Sequence, residues 1–249
     1  MNAVLTVAKR ELFAFFVSPV AYVVMTVWLL FLGFKFYLLA MVYAQSVGAS
    51  DANLLTAFFG GTSLFYLLLL VFAPVITMRL IAEERASGTI ETLLTAPVTE
   101  VSIVLGKYLA VLVFWCVLWL PTLAYVWLVA RTGEHTVDWG TIGSTYLGLF
   151  VTGTFYMAVG LLMSAVSRSQ IVAALLTFLV LGSMFLLGLA SYANVGDDMR
   201  AVFEYIGLWT QMTTFSKGIV DTRFLVYDLS VVVVSLFLSV QALQNDRGA

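Results

Sequence analysis

Charged side chains are scarce in this chain: 12 basic and 14 acidic residues make up 10% of its 249 positions, against about a quarter in ordinary soluble domains. A surface facing water on all sides cannot be clothed by so few. The single cysteine, Cys116, lies inside an apolar run, which excludes a disulfide framework and a cysteine metal cluster. The single histidine, His135, has no second histidine or cysteine nearby, so a metal centre is not expected and a solvated loop position is. No serine, histidine and acid constellation points to nucleophilic catalysis. A net charge of -2 lacks the basic excess that nucleic-acid binding requires. What is abundant is apolar side chain, 62% of the total with a mean hydropathy of +1.03. Several uninterrupted apolar stretches reach about 20 residues, the length that crosses a bilayer as a helix. The composition defines an all-α integral membrane protein with many crossings.

The first apolar stretch, 20–43, follows Lys9 and Arg10 as a signal peptide would, but it is long enough to span and carries no small-residue cleavage site. It is read as a retained span. Before it, Leu5, Ala8, Leu12, Phe15 and Phe16 share one helical side while Thr6, Lys9 and Arg10 occupy the other. That pattern predicts a short helix in the membrane interface over 1–18, turned into the span at Pro19. Further spans are expected at 56–80, 101–130, 141–166, 170–192 and 224–243. Six crossings put both termini on one side, together with Lys9, Arg10, Arg79, Arg85, Lys107, Arg168 and Arg247; Arg131, Arg200, Lys217 and Arg223 fall opposite. The excess places both termini in the cytoplasm.

One inward loop, 82–98, gathers charge. The second span is expected to run on into water through Glu83, Glu84 and Arg85, and Ser87-Gly88 to stop it, since a glycine accepts the left-handed conformation of a helix C-terminus. A new short helix should follow, capped by Thr89, with Glu91 in its first turn, Ile90, Leu93 and Leu94 on one face and Pro97 at its end; Thr99 would cap the third span. Such an amphipathic helix on a stalk can seat in a soluble partner's groove, or it can be a plain connector resting on headgroups.

Other positions carry weaker signals. Lys35, inside the first span beside Phe34, Phe36 and Tyr37, is expected to snorkel to the interface. Pro121 should kink the third span. Ser144, Gly148 and Thr152 recur every fourth residue in the fourth span and permit close helix approach, either at a dimer seam or within one subunit. In the extracytoplasmic segment 195–223, Asp197 and Asp198 are expected to cap a helix striped by Met199, Val202, Phe203 and Ile206 and ended by Gly207, with Leu208, Trp209, Met212 and Phe215 continuing along the outer interface.

The run from Glu83-Glu84-Arg85 through Gly88-Thr89, Glu91-Thr92 and Pro97, followed by Leu105-Gly106-Lys107-Tyr108, resembles the hallmark loop of ABC-2 type transporter permeases. It is most similar to the gliding-motility-associated group and also to the nitrous oxide reductase maturation permease. Lys9-Arg10-Glu11, Ser18-Pro19, Ser169-Gln170-Ile171-Val172 and Gly218 to Arg223 extend the resemblance along nearly the whole chain. The resemblance implies a single transmembrane domain over 1–249 with an elbow helix, six spans, a coupling helix between spans two and three, and a broken outer hairpin between spans five and six. Carried over by position, Glu83, Glu84, Arg85, Gly88, Thr89, Glu91, Thr92, Leu93, Leu94 and Pro97 form the interface with an ATPase, and Lys9, Arg10 and Glu11 belong to the elbow. It further implies a bacterial inner-membrane location, a dimer of nucleotide-binding subunits, a second permease chain (the same or similar), and in some cases a periplasmic or membrane-anchored accessory protein. Gly106-Lys107 precedes Tyr108 and has Val101 where a phosphate loop needs its first glycine, so ATP and magnesium are expected only on the partner. The expected activity is therefore substrate movement, outward in direction, driven by a separate ATPase. The alternative is relay of ATPase motion to an accessory protein without transport. An intramembrane enzyme lacks the paired acids it would need.

Overall fold

In a computed structural model, residues 3–45, 54–60, 63–90, 98–132, 138–190 and 196–248 are described. Among them the chain is helical throughout, without a strand. Helix α1 covers Ala3–Val17 and α2 covers Pro19–Gln45, separated by a bend at Ser18 where proline removes the amide needed to continue. Then come α3 (Leu54–Gly60), α4 (Ser63–Thr77) and the short α5 (Ala82–Ala86). Helix α6 (Glu100–Trp119) passes through a 3-10 turn at Leu120–Thr122 into α7 (Leu123–Thr132). The remainder is α8 (Trp139–Val166), α9 (Gln170–Ala190), α10 (Asp197–Ile206), α11 (Leu208–Ser216) and α12 (Thr222–Gly248).

Five segments are long and apolar enough to cross a membrane: Pro19–Ala44, Glu100–Arg131, Trp139–Val166, Gln170–Ala190 and Thr222–Asn245. They coincide with the first, third, fourth, fifth and sixth expected spans. The second does not form one helix. Its residues are divided between α3 and α4, and the apolar part of α4, Leu68–Thr77, is short. The expected stalk is interrupted as well, because Met78 to Ile81 form a turn before α5 begins. Thr99 caps α6 as expected, its hydroxyl accepting from the Ser102 amide at 3.3 Å.

Helix α8 is the axis of the bundle. In its apolar window 78% of residues are buried, against 22% in α2, and it packs against α4, α6, α9, α11 and α12. An aromatic core lies beside it: the Trp28 ring meets Phe72 at 5.0 Å and Trp119 at 5.2 Å, both edge to face. Around this core, α2, α9 and α12 turn Phe34, Ile171, Leu186 and Phe237 outward, each more than half exposed. Such surfaces are stable in hydrocarbon and unstable in water.

The structure departs from three further expectations. Lys35 does not snorkel: it is buried, donates to the Phe58 carbonyl of α3 and lies 5.1 Å from the Phe58 ring centroid. A carbonyl at the end of a short helix is a ready acceptor, which makes the interior tolerable for its ammonium. Helix α10 starts at Asp197 with Gly196 as its N-cap, so the aspartates do not cap it, although Gly207 does end it. Finally, α11 is not an interfacial stretch. Leu208, Met212 and Phe215 are buried, and the helix packs on α8 and α3.

Candidate functional site: a charge cluster joining three elements

Helix α1 packs lengthwise along the first half of α6, and the contact begins at a glycine. A Cβ on Gly106 would sit 2.7 Å from the Val7 side chain and 3.0 Å from the Val4 carbonyl, so only glycine permits this approach. Two turns further, Phe15 stacks on Phe114 with centroids 5.1 Å apart. The seam therefore follows Val4, Val7 and Phe15, and Leu5 of the expected stripe is exposed. Between the two anchors, Glu11 and Lys107 come together.

Lys107, only 1% exposed, places Nζ 2.9 Å from Glu84 Oε1 and 3.1 Å from Glu11 Oε1. Arg10, largely exposed, places Nη2 2.9 Å from Glu11 Oε1 and 3.5 Å from Glu84 Oε1. Two cations and two carboxylates thus tie α1, α5 and α6 into one unit. The two acids answer differently to the same neighbours. Burial pushes the Glu84 carboxyl up, and this exceeds the downward pull of Lys107, while the Glu11 charge adds to the rise. At Glu11 burial also pushes upward, but Lys107 and Arg10 together hold it below its ordinary value. Glu84 also keeps its second oxygen buried without a hydrogen bond.

The turn that presents α5 is held from across the bundle. Ser164 Oγ of α8 accepts from the Ile81 and Ala82 amides, both at 3.0 Å, and donates to the Met78 carbonyl at 3.1 Å. One hydroxyl thereby caps the break that residues 78–81 leave in the backbone. Arg79 donates to Ser18 Oγ at 2.8 Å and lies over the Phe15 ring at 4.4 Å, while Arg85 reaches the Ser167 carbonyl at 3.4 Å. A cleft of about 370 Å3 opens between α1 and this turn, walled by Phe15, Ser18, Arg79, Glu83, Glu84 and Lys107.

Past α5, Gly88 adopts φ of 73° and its amide donates to the Arg85 carbonyl at 3.3 Å, the left-handed stop its sequence position suggested. Glu83 and Gly88 are exposed, and the Thr89 hydroxyl pairs with Ser87 Oγ at 2.9 Å. Glu91, Thr92, Leu93, Leu94 and Pro97, the expected coupling helix, lie outside the described residues, as does His135. Lys9 is exposed and takes no part in the cluster. Ser144, Gly148 and Thr152 are buried far along α8. Ser144 donates to the Phe215 carbonyl at 2.8 Å, and a Cβ on Gly148 would meet Phe215 at 2.7 Å. Ser144 and Gly148 of this small-residue stripe thus pack on α11 of the same chain.

In the sequence Lys107 stands out as an inward positive charge and as part of the Leu105 to Tyr108 match, without a partner assigned to it, and neither Ser164 nor Asp228 stands out. The signal for Lys107 was available: a lysine about two turns inside a span needs an acid close by, and the neighbouring inward segments offer Glu11 and Glu84.

The family model for ABC-2 family transporter proteins matches residues 5–238. The chain belongs to that family, and is a multi-pass membrane component of a transporter. No curated protein matches it.

Proposed function

We propose that this chain is the permease subunit of an ABC transporter in the bacterial inner membrane, with both termini cytoplasmic and α3 with α4 forming the second of six crossings. A separate dimer of nucleotide-binding subunits docks on the loop from Glu83 to Pro97, and its closure on ATP and magnesium moves α5. The Glu84–Lys107–Glu11 linkage carries that movement at once into α6 and α1, and Ser164 carries it into α8. A second permease chain completes the pathway, and transport is outward. The observation that carries this reading is the buried Lys107 shared by Glu84 and Glu11, which makes the loop rigid with the span instead of leaving it a loose connector. The exposed side of the same loop, Glu83 and Gly88, is free for docking.

Relay to an accessory protein, as the resemblance to gliding-motility and nitrous oxide reductase maturation permeases suggests, is favoured by one feature. Helix α10 leaves Met199 and Val202 exposed beside the Arg200–Glu204 pair. Purification of the native complex followed by mass spectrometry tests both readings. Recovery of an ATPase subunit supports coupling, and its consistent absence from an intact complex rejects it. A stoichiometric extracytoplasmic protein that Met199→Glu releases favours relay.

A further inference from the structure

Asp228 lies in α12, the last membrane-crossing helix, and is fully buried. The Tyr227 ring beside it stacks on Phe155 with centroids 6.2 Å apart, which sets Asp228 level with Tyr156 of α8. By the helical rise, Tyr156 is about 15 Å from the Val166 end of α8. The carboxyl therefore lies within the length of both membrane-crossing helices, about 9 Å from the Thr222 end of α12. Among the described residues no basic side chain pairs with it; neither oxygen meets a donor at full hydrogen-bond geometry, and the Gln211 amide is the side-chain donor that approaches the carboxyl.

Two equally buried groups surround it in the same condition. Gln211 of α11 faces the carboxyl, its amide nitrogen donating to the Tyr205 carbonyl at 3.3 Å and its Oε1 unpartnered. The Tyr156 hydroxyl is unpartnered as well. The other phenols nearby are Tyr66 of α4, turned to the Phe59 carbonyl, and Tyr227, which meets Tyr205 of α10 at 5.3 Å. Tyr108, from α6 packed on the same face, is spent on the Thr154 carbonyl at 3.0 Å. Around Asp228 acceptors thus outnumber donors, and the site holds a carboxylate without a counter-ion, among the least stable arrangements in a bilayer.

One proton repairs the deficit. A neutral Asp228 can donate its O–H to Gln211 Oε1, and the Tyr156 O–H can donate to the remaining carboxyl oxygen, so that all four stranded atoms are partnered. We propose that Asp228, Gln211 and Tyr156 form an intramembrane proton-binding site, in which Asp228 carries the proton while α11 is seated against α8. Because Gln211 belongs to α11, loss of the proton to water leaves a bare carboxylate that is stable only when that helix withdraws and lets water in. Proton occupancy therefore latches the outer helix pair.

The test needs neither ATPase nor substrate, so its failure is separate from that of the coupling reading. The full chain in lipid nanodiscs is followed by infrared difference spectroscopy across pH, with α11 monitored by water-soluble maleimide at Met212→Cys in a Cys116→Ser background. A protonated-carboxyl band is expected at neutral pH, removed by Asp228→Asn and shifted by Asp228→Glu, which assigns it even where the asparagine chain inserts poorly. On raising the pH the band is lost and labelling at position 212 accelerates in step. Absence of an Asp228-dependent band at neutral pH overturns the proposal, as does labelling that stays constant while the band titrates.

Discussion

Lys107 is one residue with two acids to satisfy, and its substitution separates charge from packing. Lys107→Met keeps the volume but leaves Glu11 and Glu84 with only the largely exposed Arg10 between them. The loss should be about 3 kcal/mol of unfolding free energy, read as a drop in thermal midpoint of the purified chain. Glu84→Gln added to it should recover part of the loss, since one of the stranded charges is then gone. The two glutamates also predict an order of protonation. Glu11, held below its ordinary value, contributes stability that is present above its unfolded value and lost only as pH falls through the lowered one. Glu84, raised, has the opposite sign: its neutral form is the one the fold favours, and that contribution fades as pH rises through the raised value. On acidification Glu84 should therefore protonate first, while Glu11 still holds Lys107. Carboxyl NMR shifts of glutamate-labelled protein check this, with Glu84→Gln deleting the first step and sparing the second. Residue types were legible here, but partners were not: Lys107, Asp228 and Lys35 each announce themselves as ions in apolar runs, yet what each faces depends on helices far away in sequence.

Among elements, the α4–α5 break and the α1–α6 seam carry the argument. The apolar run 56–80 is charged only at Arg79, and hydropathy alone does not mark a turn at 78–81. That turn exists because Ser164, more than 80 positions away, offers its backbone three hydrogen bonds. Ser164→Ala should leave those groups unpaired, costing about 1–3 kcal/mol, and should lower ATP turnover coupled to the loop more than it lowers insertion. Valine would test shape in place of bonding. At the other seam, Gly106→Val forces Val4 and Val7 away from α6 and should cost about 1–3 kcal/mol through overpacking. The expected readout is protease cleavage appearing between α1 and α2, with α6 protected. Capping by Thr99 and the stops at Gly88 and Gly207 were readable locally, because a cap is made by residues within one turn. On α1 the exposed side of Thr6, Lys9 and Arg10 and the packed Phe15 and Phe16 match the expected stripe, while Leu5 gives way to Val4 and Val7 because the contact there is set by the gap at Gly106 and not by periodicity.

For the whole molecule, sidedness is the decisive quantity. In intact inverted and right-side-out vesicles, Ser87→Cys should react with impermeant maleimide only from the cytoplasmic side, and Lys217→Cys only from the other. Reaction of both from one side would remove the proposed crossing made by α3 and α4, and with it the cytoplasmic place of the docking loop. Composition and run length by themselves determined that the chain is helical and lives in a bilayer, because desolvating a backbone leaves few solutions and about 20 apolar residues suffice to impose one. Local caps and proline determined several helix ends, at Pro19, Gly88, Thr99 and Gly207. Only the tertiary structure decided which helix is central, which small-residue stripe is already occupied by α11, and which ions meet. Those choices arise from pairings between segments tens of residues apart, where a lysine is held by the carboxylates that packing brings within 3 Å or so of it and a buried aspartate has no basic partner among the described residues.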